Sequence, residues 1–165
     1  MPALENLITD SQVTVLRQGY DDIEIYGLAM AALAGPFPQA EPWVSASGSY
    51  FFASDRNMGS THRELCILST LTAMRCPDQL VVHVYWALMV GLTVNQVADA
   101  IFLGGHFGGI AAYNSATKAA MVALGSLAGQ ADAGKADPST LLSAGRVVPK
   151  LGQAYGRAVA GLPPG

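Results

Sequence analysis

Apolar positions along this chain recur every three or four residues, and strict alternation of apolar and polar residues is scarce. That spacing is the helical period, and with abundant alanine it predicts an all-α fold. A first helix is expected over residues 10–20, opened by Asp10 and Ser11, with Val13, Val15 and Leu16 as its apolar set. A second is expected over residues 22–34, carrying Ile23, Ile25, Tyr26, Leu28, Met30 and Leu33 and stopped by Gly35-Pro36. The stretch GPFPQAEPW holds three prolines and reads as a connection, with a shorter helix after it over residues 43–53.

The central segments carry clearer end signals. Thr61-His62-Arg63-Glu64 fits a capping box, Thr three residues before Glu, ahead of the apolar run LCILSTLTAM. Cys76-Pro77-Asp78 fits a helix start, with proline at the first helical position and an acid in the first turn. That helix should end at Gly91. Thr93-Val94-Asn95-Gln96 is a second capping box, opening a helix to about Leu103. The run Gly104-Gly105-His106-Phe107-Gly108-Gly109 should break or kink the pattern before a long Ala-rich helix to about Leu127. AGQADAGKADPS reads as a linker, and residues 140–160 as an amphipathic arm interrupted by Pro149. The expected organisation is one structural domain: an N-terminal helical region (1–55) packing on a core (56–128), then a linker and C-terminal helical arm (129–165).

Composition sharpens this. The chain has 165 residues, of which 51% are hydrophobic and only 13% charged, where about 25% charged is usual. So few charges leave apolar surface to be covered, and a homo-oligomer is expected. The net charge is −3 and no basic run occurs, so nucleic-acid binding has no support. Two cysteines do not make a disulfide framework. MPALENLITD lacks the charged and apolar regions of a signal peptide, and no apolar stretch approaches the ~18 residues of a membrane span. The expectation is a soluble, cytoplasmic protein.

The residues able to do chemistry fall between His62 and His106. Cys76 stands at a helix start, where unpaired N–H groups and the positive dipole end favour a thiolate. Cys76, Gln79 and His83 share one helix face. Each has a structural alternative: Cys76 as a small hydrophobe, His83 as a packed core histidine, Glu64 as the acid of the capping box. Cys66 sits inside an apolar run and is expected in the core, His62 is expected exposed, and Arg63 is either solvated or an anion binder. His106, flanked by glycines, is either a wall of a site or a packing residue at a helix end. The histidines lack paired ligand spacing, no Cys-x-x-Cys occurs, and GGHFGG matches no phosphate-cradling pattern. No metal or cofactor is expected.

The stretch from about Thr61 to Ala120 resembles the carboxymuconolactone decarboxylase family of the alkylhydroperoxidase-like superfamily. The matching residues are Arg63-Glu64-Leu65, His83 with Ala87 and Gly91-Leu92-Thr93, and HFGGIAAYNSA from His106. The resemblance implies an all-helical subunit assembling as a trimer or hexamer, with a small-molecule site beside the helix of His83. Peroxidase-type members resemble Glu-x11-Cys-x2-Cys-x3-His. This chain keeps Glu64, Cys76 and His83 at those positions but has Gln79 where the second cysteine belongs, and an amide forms neither sulfenate nor disulfide. Decarboxylase-type members keep the histidine without either cysteine, and this chain is closer to them. His106 replaces their tyrosine and Ile110 their proline.

The expected activity is cofactor-independent acid–base chemistry: decarboxylation, or isomerisation, dehydration or cyclisation, of a small enolisable carboxylic acid or lactone. The expected catalytic residues are His83, Glu64 and His106. Arg63, Cys76, Gln79, Trp86 and Phe107 are expected to contact substrate, Arg63 as a carboxylate anchor. Thiol-dependent peroxide reduction through Cys76, alone or with Cys66, and non-catalytic small-molecule binding are the alternatives.

Overall fold

The computed structural model describes residues 4–18 and 58–134. The helices expected over residues 22–34 and 43–53, and the arm over 140–160, lie outside the described residues. So do most of the N-terminal region set at 1–55 and of the segment set at 129–165.

All the described regular structure is helical. After a short 3-10 turn (Leu4–Asn6) come α1 (Asp10–Gln18), α2 (Ser60–Ala73), α3 (Pro77–Met89), α4 (Val94–Gly108) and α5 (Ile110–Asp132). The last four close a ring in the order α2, α4, α5, α3, each packed on its two neighbours, and α2 also touches α5 across the middle. α1 lies against α5 and α3. Its Val13 and Leu16 are buried, but Val15 is exposed. Val15 was expected inward, yet it lies 200° around the helix from Val13, on the solvent side.

α1 is tied down by two polar contacts. Arg17 Nε donates to the Leu88 carbonyl at 2.7 Å and its terminal nitrogen to that of Leu92 at 3.2 Å, placing a cation on the carbonyl end of α3. Gln12 Nε2 donates to Asp132 at the end of α5. The start of α1 is a capping box on Thr9, ahead of the Asp10 and Ser11 expected to open the helix: Thr9 Oγ1 accepts from Gln12 N–H, and Gln12 Oε1 accepts from Thr9 N–H.

Short connections set the ring. α2 ends in a Schellman turn: Cys76 N–H donates to Leu71 O and Arg75 N–H to Thr72 O. The residue in the left-handed position is Arg75, at φ 58°. α3 ends in the same hydrogen-bond pattern with glycine there, Gly91 at φ 110°. A side chain in the left-handed region costs about 1–2 kcal/mol, partly offset by the greater freedom glycine gives the unfolded chain. Arg75→Gly is therefore expected to stabilise the protein by about 0.5–1 kcal/mol in urea unfolding, even though it removes a long, exposed contact to the Gly108 carbonyl.

α4 runs past the expected end at Leu103 and through Gly104, Gly105 and Gly108; the break falls at Gly109, with φ 87°. The glycines inside the helix serve contact rather than bending. A Cβ on Gly104 would strike the Ser69 carbonyl of α2 and lie 2.7 Å from Thr72 Cβ. Ser69 Oγ also donates to the Ala100 carbonyl of α4 at 2.9 Å, so the two backbones meet closely. The capping box at Thr93 and Gln96 forms as expected. α5 continues five residues beyond Leu127, into the stretch expected as linker, burying Ala131 in its last turn.

Candidate active site

α3 is buried on almost every side. Leu80, Val81, Val82, Val84, Tyr85, Ala87, Leu88 and Met89 are all inside. Its β-branched residues are modest helix formers, so the helix is held by packing more than by propensity. Beyond Asp78, the half-open positions form one stripe: Gln79, His83 and Trp86, continuing to Val90 at the C-cap. Spacings of four, three and four put these on one face. Cys76 is the N-cap residue, half-buried, and Pro77 occupies the first helical position. The face expected to carry Cys76, Gln79 and His83 is thus the face α3 leaves partly uncovered.

Glu64 meets this stripe from α2. Its Oε2 lies 2.9 Å from His83 Nδ1. Both groups are withdrawn from water, with side-chain exposures of 9% for Glu64 and 19% for His83. Glu64 is nine residues before the end of α2 and His83 six residues into α3. At a rise of about 1.5 Å per residue these are roughly 14 and 9 Å from the turn. The helices therefore approach at a crossing, and the long carboxylate arm spans the remaining offset.

Glu64 is not a helix cap. α2 starts at Ser60 with Gly59 as N-cap, no side chain caps it, and Thr61 is already helical. The capping box expected from Thr61 and Glu64 does not form, because the helix begins two residues earlier than that motif requires. The carboxylate is turned inward instead, on the face of Leu68 and Leu71. Cys66, expected in the core, is exposed: it lies 200° around α2 from Glu64. His62 is exposed as expected.

Trp86, one turn after His83, packs edge-on to the imidazole with ring centroids 5.0 Å apart and planes at 61°. This contact packs against the plane of the imidazole. Cys76 Sγ lies 3.7 Å from the Met74 carbonyl. Arg63 is half-buried beside Glu64. His106 and Phe107 are exposed in the last turn of α4 with their rings edge-to-face at 5.3 Å. Phe107 is 80% exposed. Within the described residues no hydrogen bond or ring contact joins either to Glu64 or His83. Also within the described residues, no group of three or more His, Cys, Asp or Glu is placed to hold a metal ion, and no helix is long and apolar enough to cross a membrane.

A ring of helices with a shielded carboxylate–imidazole pair behind a half-open stripe defines a class: an all-α protein with an acid–base pair between two adjacent helices. The sequence comparison adds a family match. Residues 43–121, just under half of the chain, match the model of the carboxymuconolactone decarboxylase family. The matched span contains Glu64, Cys76, Gln79, His83 and His106. No curated protein and no solved structure matched the chain.

Proposed function

We propose that this protein is a cofactor-independent acid–base enzyme acting on a small enolisable carboxylic acid or lactone. The supporting observation is the Glu64–His83 pair: an imidazole held by a shielded carboxylate, on a half-open stripe of a largely buried helix. Decarboxylation is the reaction we favour. The bond between the substrate carboxylate and its α-carbon breaks, CO2 departs, and the electron pair remains as an enolate. The imidazolium of His83 gives a proton to that carbon and recovers one from water. Arg63 is the proposed carboxylate anchor, and Cys76, Gln79 and Trp86 line the approach. The same proton transfers would serve isomerisation, dehydration or ring closure. His106 and Phe107 take part, in this reading, through a neighbouring copy. They sit with Phe102, Leu103 and Ile110 on an exposed apolar face, which is the surface proposed to join subunits.

One observation supports a thiol-based alternative. Cys76 is the half-buried N-cap residue of the 13-residue helix that carries His83. A single experiment separates the readings. Wild type and Cys76→Ser are incubated with a panel of β-keto and vinylogous acids, following CO2 release and solvent proton exchange, and separately with organic peroxides. Turnover of an acid by both proteins is expected. Peroxide consumption lost in Cys76→Ser, with no acid turned over, would overturn the acid–base reading.

A further inference from the structure

The Glu64–His83 contact assigns separate work to the two nitrogens of the ring. Deepening the acid–base reading, on which it rests, we infer that Glu64 is a positioning residue that keeps a proton on His83 Nδ1, leaving Nε2 as the atom that gives and takes protons. The argument is one of donors and acceptors. An ionised carboxylate only accepts hydrogen bonds, and a shielded one needs a donor. Among the contacts of the described residues, Nδ1 at 2.9 Å is the donor aimed at Glu64. A carboxylic acid is a stronger acid than an imidazolium, so the shared proton resides on the ring. This holds in both charge states. The neutral ring carries Nδ1–H with a lone pair on Nε2, and the cation carries Nδ1–H with a second proton on Nε2.

The opposite tautomer would set the Nδ1 lone pair against carboxylate oxygens, leaving two acceptors in contact away from water. A half-turn of the ring would carry Nδ1 away from Oε2 and forfeit the 2.9 Å hydrogen bond. Glu64 thus acts through the ring and does not touch the reacting carbon. Its role differs from that of a proton relay, in which it would itself exchange protons with substrate.

The test needs no substrate. Nitrogen-15 spectra of the imidazole rings are recorded through a pH titration. The His83 signals are assigned by their absence in His83→Gln, since the chain holds three histidines. On the alkaline plateau, wild type is expected to show pyrrole-type Nδ1 and pyridine-type Nε2. Glu64→Gln, whose amide oxygen can accept the same bond, is expected to keep that pattern. Glu64→Leu is expected to shift the balance toward the Nε2–H tautomer. A wild-type ring with pyridine-type Nδ1 would overturn the assignment, whether or not the variants fold. So would a Glu64→Leu spectrum identical to wild type. Failure here leaves turnover by His83 untouched. Failure of the acid–base reading would appear as absent turnover with the tautomer in place.

Discussion

His83→Gln is expected to lower kcat/KM on any acid the protein turns over by about 100- to 10,000-fold, the range a positioned general acid–base group supplies. Glutamine can still offer an N–H toward Glu64, so the shielded carboxylate keeps a donor, but it cannot transfer a proton at neutral pH. His83→Ala should lose activity to the same extent and also lose stability. It leaves Glu64, buried at 7% exposure, without the donor it now has. Breaking such a pair costs several kcal/mol when fully buried; with the imidazole side chain 19% exposed, about 2–4 kcal/mol is expected. The double variant Glu64→Leu/His83→Leu should recover much of that stability while remaining inactive, because two apolar side chains need no partners. Urea unfolding beside steady-state kinetics separates the two effects. Near-normal turnover in His83→Gln would remove His83 from the mechanism.

The second large effect is structural. Gly104→Ala is expected to destabilise the protein by about 3 kcal/mol, because the added Cβ meets the Ser69 carbonyl and Thr72 Cβ and forces α2 and α4 apart. Backbone atoms cannot turn away as a flexible side chain would. The contrast within the same fold is Gly129→Ala. Gly129 lies in α5 with nothing within 4 Å of its added Cβ, so alanine there should stabilise by up to about 1 kcal/mol through helix propensity alone. Opposite signs for one chemical change, read as shifts in urea midpoint, would show that α2 and α4 meet at Gly104. A Gly104→Ala protein as stable as wild type would contradict that contact. Since α2 carries Glu64, spreading the two helices should also loosen its grip on His83.

Much of the helical framework was legible in the chain because its signals are local. Cys76-Pro77-Asp78 opens α3 where proline and acid placement require, and Thr93 with Gln96 caps α4 through contacts three residues apart. The face shared by Gln79 and His83 follows from helical spacing alone. Local signals also misled. Thr61 and Glu64 have the letters of a capping box, but α2 starts at Ser60 and the acid turns inward. Gly104, Gly105 and Gly108 read as breakers, yet they remain helical because close helix packing rewards their missing side chains. Cys66, set in an apolar run, faces outward.

What the sequence determined by itself is the helical class, the central helix ends, the family resemblance over the core, and the single face of α3 that carries Gln79 and His83. These depend on neighbours within one or two turns of the same chain segment. The tertiary structure alone decided that Glu64 belongs to His83 and that Phe107 lies exposed. A contact across nineteen residues depends on the angle at which α2 and α3 cross. That angle belongs to the packing of whole helices on one another, which a one-dimensional pattern does not encode.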